Sequence, residues 1–289
     1  MRLRLRLRLF TFFCVTFWAV SELNSQNWKK DAIKLFNRKN LDGWVTKIHH
    51  HDYPVNFGNT FRVKKKKIVV SYDQYGGFND QFGHLYYHTP FSFFHLRLEY
   101  RFVGSLQPGA PDYTLLNSGV MFHSQDPATM PKEQDWPISV EMQFLAGLGD
   151  GRPRPTGNMC SPGTDIVYQG KTYPGHCLNS TSPTLDKDVW VQAELVVLGD
   201  SLIQHIINGR KVLEYSKPTM GGGVANRYQS SLWEPGKPLK SGFIALQSEG
   251  QPIEFRNIEL LNLRGCMDPA AKNYKPYFIS SDPASCVWK

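Results

Sequence analysis

The sequence is poor in cysteine, in long apolar runs and in helical periodicity. It has 5 cysteines in 289 residues and no C-x-x-C pair, which argues against the common structural zinc sites. After the first 21 residues it has no apolar run of the roughly 20 residues that a membrane-spanning helix needs. Apolar residues rarely recur at the 3- and 4-residue spacing of a helix, which excludes a helical bundle.

The first 21 residues have the pattern of an export signal. Four arginines at alternate positions precede an apolar stretch over 9–20. This pattern predicts a secretory signal peptide over 1–21, and the stretch is too short for a membrane anchor. Cys14 follows two bulky phenylalanines where a lipoprotein cleavage site needs small residues, so we expect no lipid anchor. The predicted location is therefore secreted or periplasmic.

The basic charge of the chain depends largely on this segment. Removing its four arginines lowers the formal charge from +8 to +4, so nucleic acid is not an indicated partner. The remaining basic cluster, 64–67, lies between two β-branched residues and predicts a solvated hairpin turn.

Short alternating segments dominate the rest of the sequence. The stretch 95–102 alternates strictly between apolar and polar residues, and Asn208-Gly209 is a strong hairpin turn signal. Strands are predicted at 61–63, 67–71, 95–102, 117–122, 138–145, 189–198, 202–207, 211–215, 241–247 and 253–263. These strands predict an all-β jelly-roll sandwich over 35–264, after a linker at 22–34 and before a cysteine-bounded tail at 265–289.

Four cysteines remain after the signal peptide, and they can pair in three ways. Their order favours the local pairs Cys160–Cys177 and Cys266–Cys286, each of which would stabilise by about 3 kcal/mol in the chain-entropy model. The first pair lies in the irregular stretch 146–188, which we expect to form the rim of a binding face, with the loop 217–240 opposite.

Two segments place polar side chains on one side of a strand. In 138–145, Glu141 and Gln143 point to one side while the apolar residues between them point into a core. In 117–124, Asn117 and His123 are predicted to share a side. The polar face resembles the floor of a sugar-binding site, and it offers a single carboxylate.

Four segments together resemble the 3-keto-disaccharide hydrolase family: 35–44 (LFNRKNLDGW), 117–120 (NSGV), 140–143 (VEMQ) and 246–258 (LQSEGQPIEFRNI). The stretches 154–164 and 176–182 resemble a branch of that family with a cysteine-bearing loop. The resemblance implies a concanavalin-like jelly roll that acts on glycosides whose C3 hydroxyl is oxidised to a ketone. It also implies a separate sugar 3-dehydrogenase that makes the ketone.

The implied chemistry is elimination followed by hydration. A C3 ketone acidifies the C2 proton, so one base can remove it and expel the C1 aglycone, after which water adds. An ordinary glycosidase needs two carboxylates that flank the bond. The lone carboxylate of the Glu-x-Gln strand therefore favours the keto route over an ordinary endo-glycosidase.

The site residues follow from the pattern and the resemblance. The predicted catalytic residues are Glu141, with His123 and His176 as candidate acid or base imidazoles. The predicted substrate-binding residues are Asn117, Trp136, Gln143, Gln247 and Glu249. A divalent metal ion that polarises the ketone is a possible cofactor, held by two carboxylates and a histidine.

Two alternatives stay open at this stage. A non-catalytic carbohydrate-binding sandwich would use the same fold, amides and aromatics. The tract His49-His50-His51 resembles a metal site, but consecutive side chains in an extended loop diverge, so no site is expected there.

Overall fold

The computed structural model describes residue 28 and residues 30–288, so the predicted signal peptide lies outside the described residues. Short 3₁₀ turns occupy Phe57–Asn59, Asp112–Thr114, Pro127–Thr129, Ser230–Leu232 and Pro283–Ser285. The strands are β1 (Ile33–Lys34), β2 (Trp44–Ile48), β3 (Phe61–Lys64), β4 (Lys67–Val70), β5 (Gly83–Tyr87), β6 (Phe93–Phe102), β7 (Asn117–Ser124), β8 (Val140–Leu145), β9 (Asn158–Cys160), β10 (Thr164–Tyr168), β11 (Lys171–Thr172), β12 (Cys177–Leu178), β13 (Val191–Leu198), β14 (Leu202–Ile207), β15 (Arg210–Met220), β16 (Phe243–Ser248), β17 (Ile253–Asn262), β18 (Arg264–Gly265) and β19 (Ser280–Ser281). In this part of the chain, no helix has the length and apolar character that crossing a membrane requires.

Two antiparallel sheets make up the sandwich and confirm the predicted fold class. The first sheet has ten strands in the order β11-β10-β15-β14-β13-β6-β17-β4-β3, with β1 beside β17, and the second has seven in the order β12-β9-β8-β7-β16-β5-β2. One continuous apolar core joins their inner faces. Within it the ring of Tyr100 on β6 stacks on that of Phe144 on β8 with centroids 4.0 Å apart. The two sheets therefore pack face to face.

Alternation located most strands well. The burial of β6 alternates along its whole length, as period-2 patterning requires. The basic cluster forms the predicted turn between β3 and β4, with Lys65 and Lys66 in the left-handed region. The prediction missed β2 and β5, because both carry polar residues that the fold buries, such as Lys47 and His84. It also gave 146–188 as irregular, whereas the structure has the short strands β9 to β12 there.

The segment predicted as a linker, 22–34, is partly packed on the sandwich. Trp28 is buried, and the guanidinium of Arg97 lies 4.4 Å from its ring. β1 within the segment pairs with β17, and Asp31 forms a 2.7 Å ion pair with Lys275 in the C-terminal tail. The described part of the segment thus adds a strand and anchors the tail.

Both predicted disulfides are present, Cys160–Cys177 and Cys266–Cys286. Disulfides persist in oxidising compartments, so they indicate an extracytoplasmic protein. The second bond closes the tail, where β18 pairs in parallel with β19.

Candidate functional site

A cleft of about 520 Å³ opens on the outer face of the seven-stranded sheet. β7, β8 and β9 form its floor, and the register places Gly119, Gln143 and Asn158 side by side across these strands. The cleft is lined by Tyr113, Asn117, Trp136, Glu141, Gln143, Leu145, Arg154, Cys160, Pro162, His176, Cys177, Val224, Asn226 and Glu249. Predicted site residues from distant segments therefore meet in one place.

The side chain of Glu141, on β8, extends over Gly119 on the neighbouring strand β7. A Cβ built on Gly119 would overlap the Oε1 atom of Glu141 and would lie only 2.8 Å from its Cγ. Glycine at 119 is thus needed because it leaves the space that the carboxyl group fills. Glu141 is 5% exposed, and its Oε1 atom has no hydrogen-bond partner.

Glu249 follows β16 and supplies a second carboxylate to the cleft. Its Oε1 atom accepts hydrogen bonds from the Trp136 indole at 3.3 Å and from the Gln247 amide at 3.1 Å. Its Oε2 atom is buried and has no partner. The sequence argument against an ordinary glycosidase, that the site offers one carboxylate, therefore fails, because β8 and the end of β16 each provide one.

Burial raises the pKa values of both carboxyl groups. The pKa of Glu141 lies well above its ordinary value, because of burial first and then the nearby charge of Glu249. Burial raises the pKa of Glu249 to about 7, although the hydrogen bond from Trp136 opposes the shift. Burial therefore favours the protonated forms of both carboxyl groups, and the nearby charge of Glu249 adds to the upward shift at Glu141.

Amide groups extend the polar floor. Asn117 donates to the Tyr113 carbonyl at 3.4 Å, and its own Oδ1 atom is buried without a partner. Gln143 accepts a 3.1 Å hydrogen bond from Asn158. Gln247 lies behind the cleft lining, with its Oε1 atom also buried and unpaired.

In and directly behind the cleft, four buried carboxyl or amide oxygens of the described residues lack a donor: Asn117 Oδ1, Glu141 Oε1, Gln247 Oε1 and Glu249 Oε2. Buried polar groups are costly without a partner. A ligand with several hydroxyl groups, such as a sugar, could reach the three that belong to cleft-lining residues, Asn117, Glu141 and Glu249.

The Cys160–Cys177 disulfide forms part of the cleft wall. Cys160 lies opposite Glu141 in the pairing of β8 with β9, and β12 brings Cys177 against Cys160. The disulfide thus attaches the rim loop to the strand beside the carboxylate. His176 lies in this rim as an exposed cleft-lining residue, as predicted for a candidate imidazole.

His123 does not reach the cleft, although the sequence predicted that it shares a side with Asn117. Its backbone is in the left-handed region at φ 47°, where the pairing of β7 with β16 shifts register. Its Nε2 atom bonds to the Gly199 carbonyl at 2.9 Å, and burial lowers its pKa to about 4. This break in strand alternation turns the imidazole toward the other sheet.

Sequence reasoning overlooked Arg154 and Tyr113. The Arg154 guanidinium donates to the carbonyls of Leu115, Leu116 and Ala146, which ties the end of β8 to the start of β7. All three acceptors are backbone carbonyls and none is a carboxylate. These hydrogen bonds therefore do not neutralise the positive charge of Arg154, which lines the cleft. The arginine lies in the quoted string 154–164, but nothing local showed where its side chain points.

The predicted metal arrangement of two carboxylates and a histidine does not assemble in the cleft. Among the described residues, three-ligand groups with mutual distances within 4.8 Å occur at Cys160, His176 and Cys177 and at His49, His50 and Glu133. The first group contains the disulfide, so its sulfurs are not free thiolates. Neither group includes Glu141 or Glu249.

The fold and the cleft together define an antiparallel β-sandwich with a polar site on the outer face of one sheet. More particularly, the chain belongs to the family described as 3-keto-alpha-glucoside-1,2-lyase-like domain, whose model matches residues 31–261. This result confirms the family resemblance seen in the sequence.

Several solved structures resemble the chain in fold. Two from Parabacteroides distasonis, both provisionally described as glycosyl hydrolases, are 19% and 17% identical, each with a TM-score of 0.48. They cover 81% and 83% of this chain and 100% and 96% of their own. The carbohydrate-binding module CBM66 from Bacillus subtilis is 11% identical over 76% of this chain and 96% of its own, with a TM-score of 0.44. No curated protein sequence matches the chain.

Proposed function

We propose that the protein is an exported enzyme that cleaves 3-keto-glycosides by elimination across C1 and C2, with later hydration completing a net hydrolysis. The observation that carries the proposal is the pair of buried carboxyl groups, Glu141 and Glu249, whose pKa values are raised and which lie beside unpaired acceptors in one cleft. Family membership supports the keto-sugar substrate class.

The reaction needs one base and one acid. The base removes the C2 proton, and the electrons of the C–H bond enter the C3 ketone as an enolate. As the enolate collapses, the C1–O bond breaks and the aglycone oxygen takes a proton from the acid. The sugar becomes a 1,2-unsaturated 3-ketone, and addition of water across the double bond gives the free keto sugar.

The two carboxyl groups suit these two roles. Glu249 accepts two hydrogen bonds on Oε1, which favour its ionised form, so we assign it as the base. Glu141 has the more strongly raised pKa and an unpaired Oε1 atom, so we assign it as the acid that protonates the aglycone oxygen. A pKa near 7 lets Glu249 act at neutral pH.

Groups around the pair would bind the sugar. The unpaired oxygen of Asn117 would accept a sugar hydroxyl, and Trp136 would pack against the ring. Gln247 lies behind the lining and would act by holding Glu249 through its amide. The positive charge of Arg154 and the amide of Gln143 are suited to stabilise negative charge on the C3 oxygen. His176 in the rim remains a candidate for a second proton transfer, during hydration.

The location and the pathway partner follow from the same chemistry. The two disulfides support a secreted or periplasmic enzyme. The substrate is already oxidised at C3, so a separate sugar 3-dehydrogenase has to supply it.

The test follows two signals from 3-keto-sucrose, 3-keto-trehalose and aryl 3-keto-glucosides in deuterated water. Uptake of deuterium at C2 reports on the base, and aglycone release reports on the complete elimination. Glu249→Gln should abolish both signals. Glu141→Gln should keep part of the C2 exchange and should lose more activity on substrates with a poor leaving group than on a nitrophenyl substrate. Glu99→Gln, on the outer face of the other sheet, is the matched control.

The unoxidised parent sugars decide between the alternatives. Cleavage of the parents at a similar rate would identify an ordinary glycosidase. Binding of keto sugars without C2 exchange or release would identify a carbohydrate-binding module. Either result would overturn the proposal.

A further inference from the structure

We propose that His49, His50 and Glu133 form a binding site for a divalent transition metal ion such as Zn²⁺, separate from the cleft carboxylates. Their ligand atoms all lie within 4.8 Å of one another. They line a second cavity of about 480 Å³, together with Asp80, Asp135, Asn226 and Arg227.

Backbone conformation brings the two imidazoles together. The sequence predicted that neighbouring histidines diverge, and His51 does diverge, bonding through Nε2 to Gln81 and stacking on Phe57. His50, however, lies in the left-handed region at φ 69°, which reverses the usual alternation. As a result, the rings of His49 and His50 stack with centroids 3.6 Å apart.

The hydrogen bonds of His49 select the ligand atom. Its Nδ1 atom is 2.8 Å from the Asp80 carbonyl oxygen, so Nδ1 carries the proton and donates it. Its Nε2 atom is then a free acceptor, and this atom is buried and unpartnered in a residue that is 8% exposed. A backbone carbonyl that holds the far nitrogen is the usual support of a metal-binding histidine.

The other two ligand atoms are hydrogen-bonded to each other, so the ion would replace the proton between them and move the two atoms slightly apart. The Nδ1 atom of His50 and the Oε2 atom of Glu133 are 2.8 Å apart. Two ligands of tetrahedral zinc are roughly 3.3 Å apart, given bonds of about 2.0 Å. The exposed guanidinium of Arg227 also approaches this carboxylate, at 3.9 Å.

The donor set indicates the class of ion. Two imidazoles and one carboxylate suit zinc, cobalt or nickel, whereas calcium and magnesium prefer sites made of oxygen.

A metal at this site would affect the cleft indirectly, through the segment that carries Trp136. Asp135 follows the ligand Glu133 closely and accepts hydrogen bonds from the backbone of Trp136 and of Asn226. Trp136 in turn donates to Glu249. The ion would tie the turn after β2 to the segment that carries the cleft tryptophan, so its role would be to position that segment.

Zinc binding to the full mature chain, after treatment with a chelator, tests the site. Titration calorimetry should show about one Zn²⁺ per chain, and saturating Zn²⁺ should raise the thermal midpoint by about 5 °C. His50→Ala and Glu133→Gln should each weaken zinc binding at least about tenfold. Both residues are partly or fully exposed, so the variants should fold, and thermal unfolding without metal checks this.

His88→Ala removes an exposed histidine outside the cluster and should leave zinc binding unchanged. Wild-type affinity in both His50→Ala and Glu133→Gln would overturn the proposal. So would the absence of stoichiometric zinc binding, or calcium binding as tight as zinc binding. These readouts do not depend on the sugar chemistry, so they stand apart from the proposed function.

Discussion

Glutamates on the outer faces of the two sheets have pKa values shifted in opposite directions. On the ten-stranded sheet, Glu254 accepts hydrogen bonds from Lys67 at 2.5 Å and from Arg101 at 2.6 Å. Burial alone would raise the pKa of Glu254, but these cations outweigh it and hold the pKa below its ordinary value. On the seven-stranded sheet, Glu141 and Glu249 have no cationic hydrogen-bond partner among the described residues, and their pKa values are raised.

This difference indicates that the glutamates of one face contribute to stability and those of the other face to proton transfer. The paired carboxylate of Glu254 stabilises the fold and stays ionised near neutral pH. An unpaired, buried carboxyl costs stability but can give or take a proton there. One sandwich therefore carries a structural face and a reactive face, and four tests probe that contrast.

The largest difference in turnover should appear when one glutamate on each face is replaced by glutamine and the two variants are compared. Glu141→Gln should reduce aglycone release about 1,000-fold, or about 4 kcal/mol, because the acid is lost. Glu99→Gln, which removes the partner of Arg256, should leave turnover close to wild type. Steady-state kinetics on one keto substrate checks both, and equal losses in the two variants would abolish the contrast.

A second test uses the pH dependence of stability. Folding raises the pKa of Glu249 from 4.5 to about 7, so folding favours its protonated form. That contribution is complete below pH 4.5 and is lost as pH rises through about 7, with a size on the order of 3 kcal/mol. Glu249→Gln should remove this loss, so it should gain stability relative to wild type between pH 5 and pH 8. Urea unfolding at the two pH values measures it, and a constant difference would contradict the assignment.

The third test fills the space beneath Glu141. In Gly119→Ala the new methyl group would displace the carboxyl, so we expect turnover to fall about 100-fold, or 2.7 kcal/mol. Gly76→Ala is the control, because nothing lies within 4 Å of its added Cβ. Adding Gly119→Ala to Glu141→Gln should cost little more, since both changes act on the same group. Fully additive losses would show that Gly119 acts elsewhere.

The smallest effect concerns the structural face. Glu254→Gln should cost about 1 kcal/mol at pH 7, because the pair with Lys67 and Arg101 is only partly buried. Since the pKa of Glu254 is lowered, this contribution is present above its ordinary value of 4.5 and disappears as pH falls through the folded value. Urea unfolding at neutral and acidic pH should show the loss only at neutral pH, with turnover unchanged.

The strand periodicity made much of this molecule predictable. Alternation placed Glu141 and Gln143 on one side of β8, and the order of cysteines predicted both disulfides. Alternation failed at His123, where a left-handed residue and a register shift turn the side chain to the other sheet. It failed again at His49 and His50, where a left-handed residue brings neighbours together instead.

By itself the sequence determined the sandwich class, the strand carrying Glu141, the disulfide pairs and the family, because period-2 patterning and motif order are local properties. Only the tertiary structure decided that Glu249 joins Glu141, that Arg154 lines the cleft and that Glu133 reaches His50. These contacts depend on strand register and on the paths of loops that connect segments far apart in the chain. The raised pKa values of the two carboxyl groups depend in turn on their common burial, which no single segment encodes.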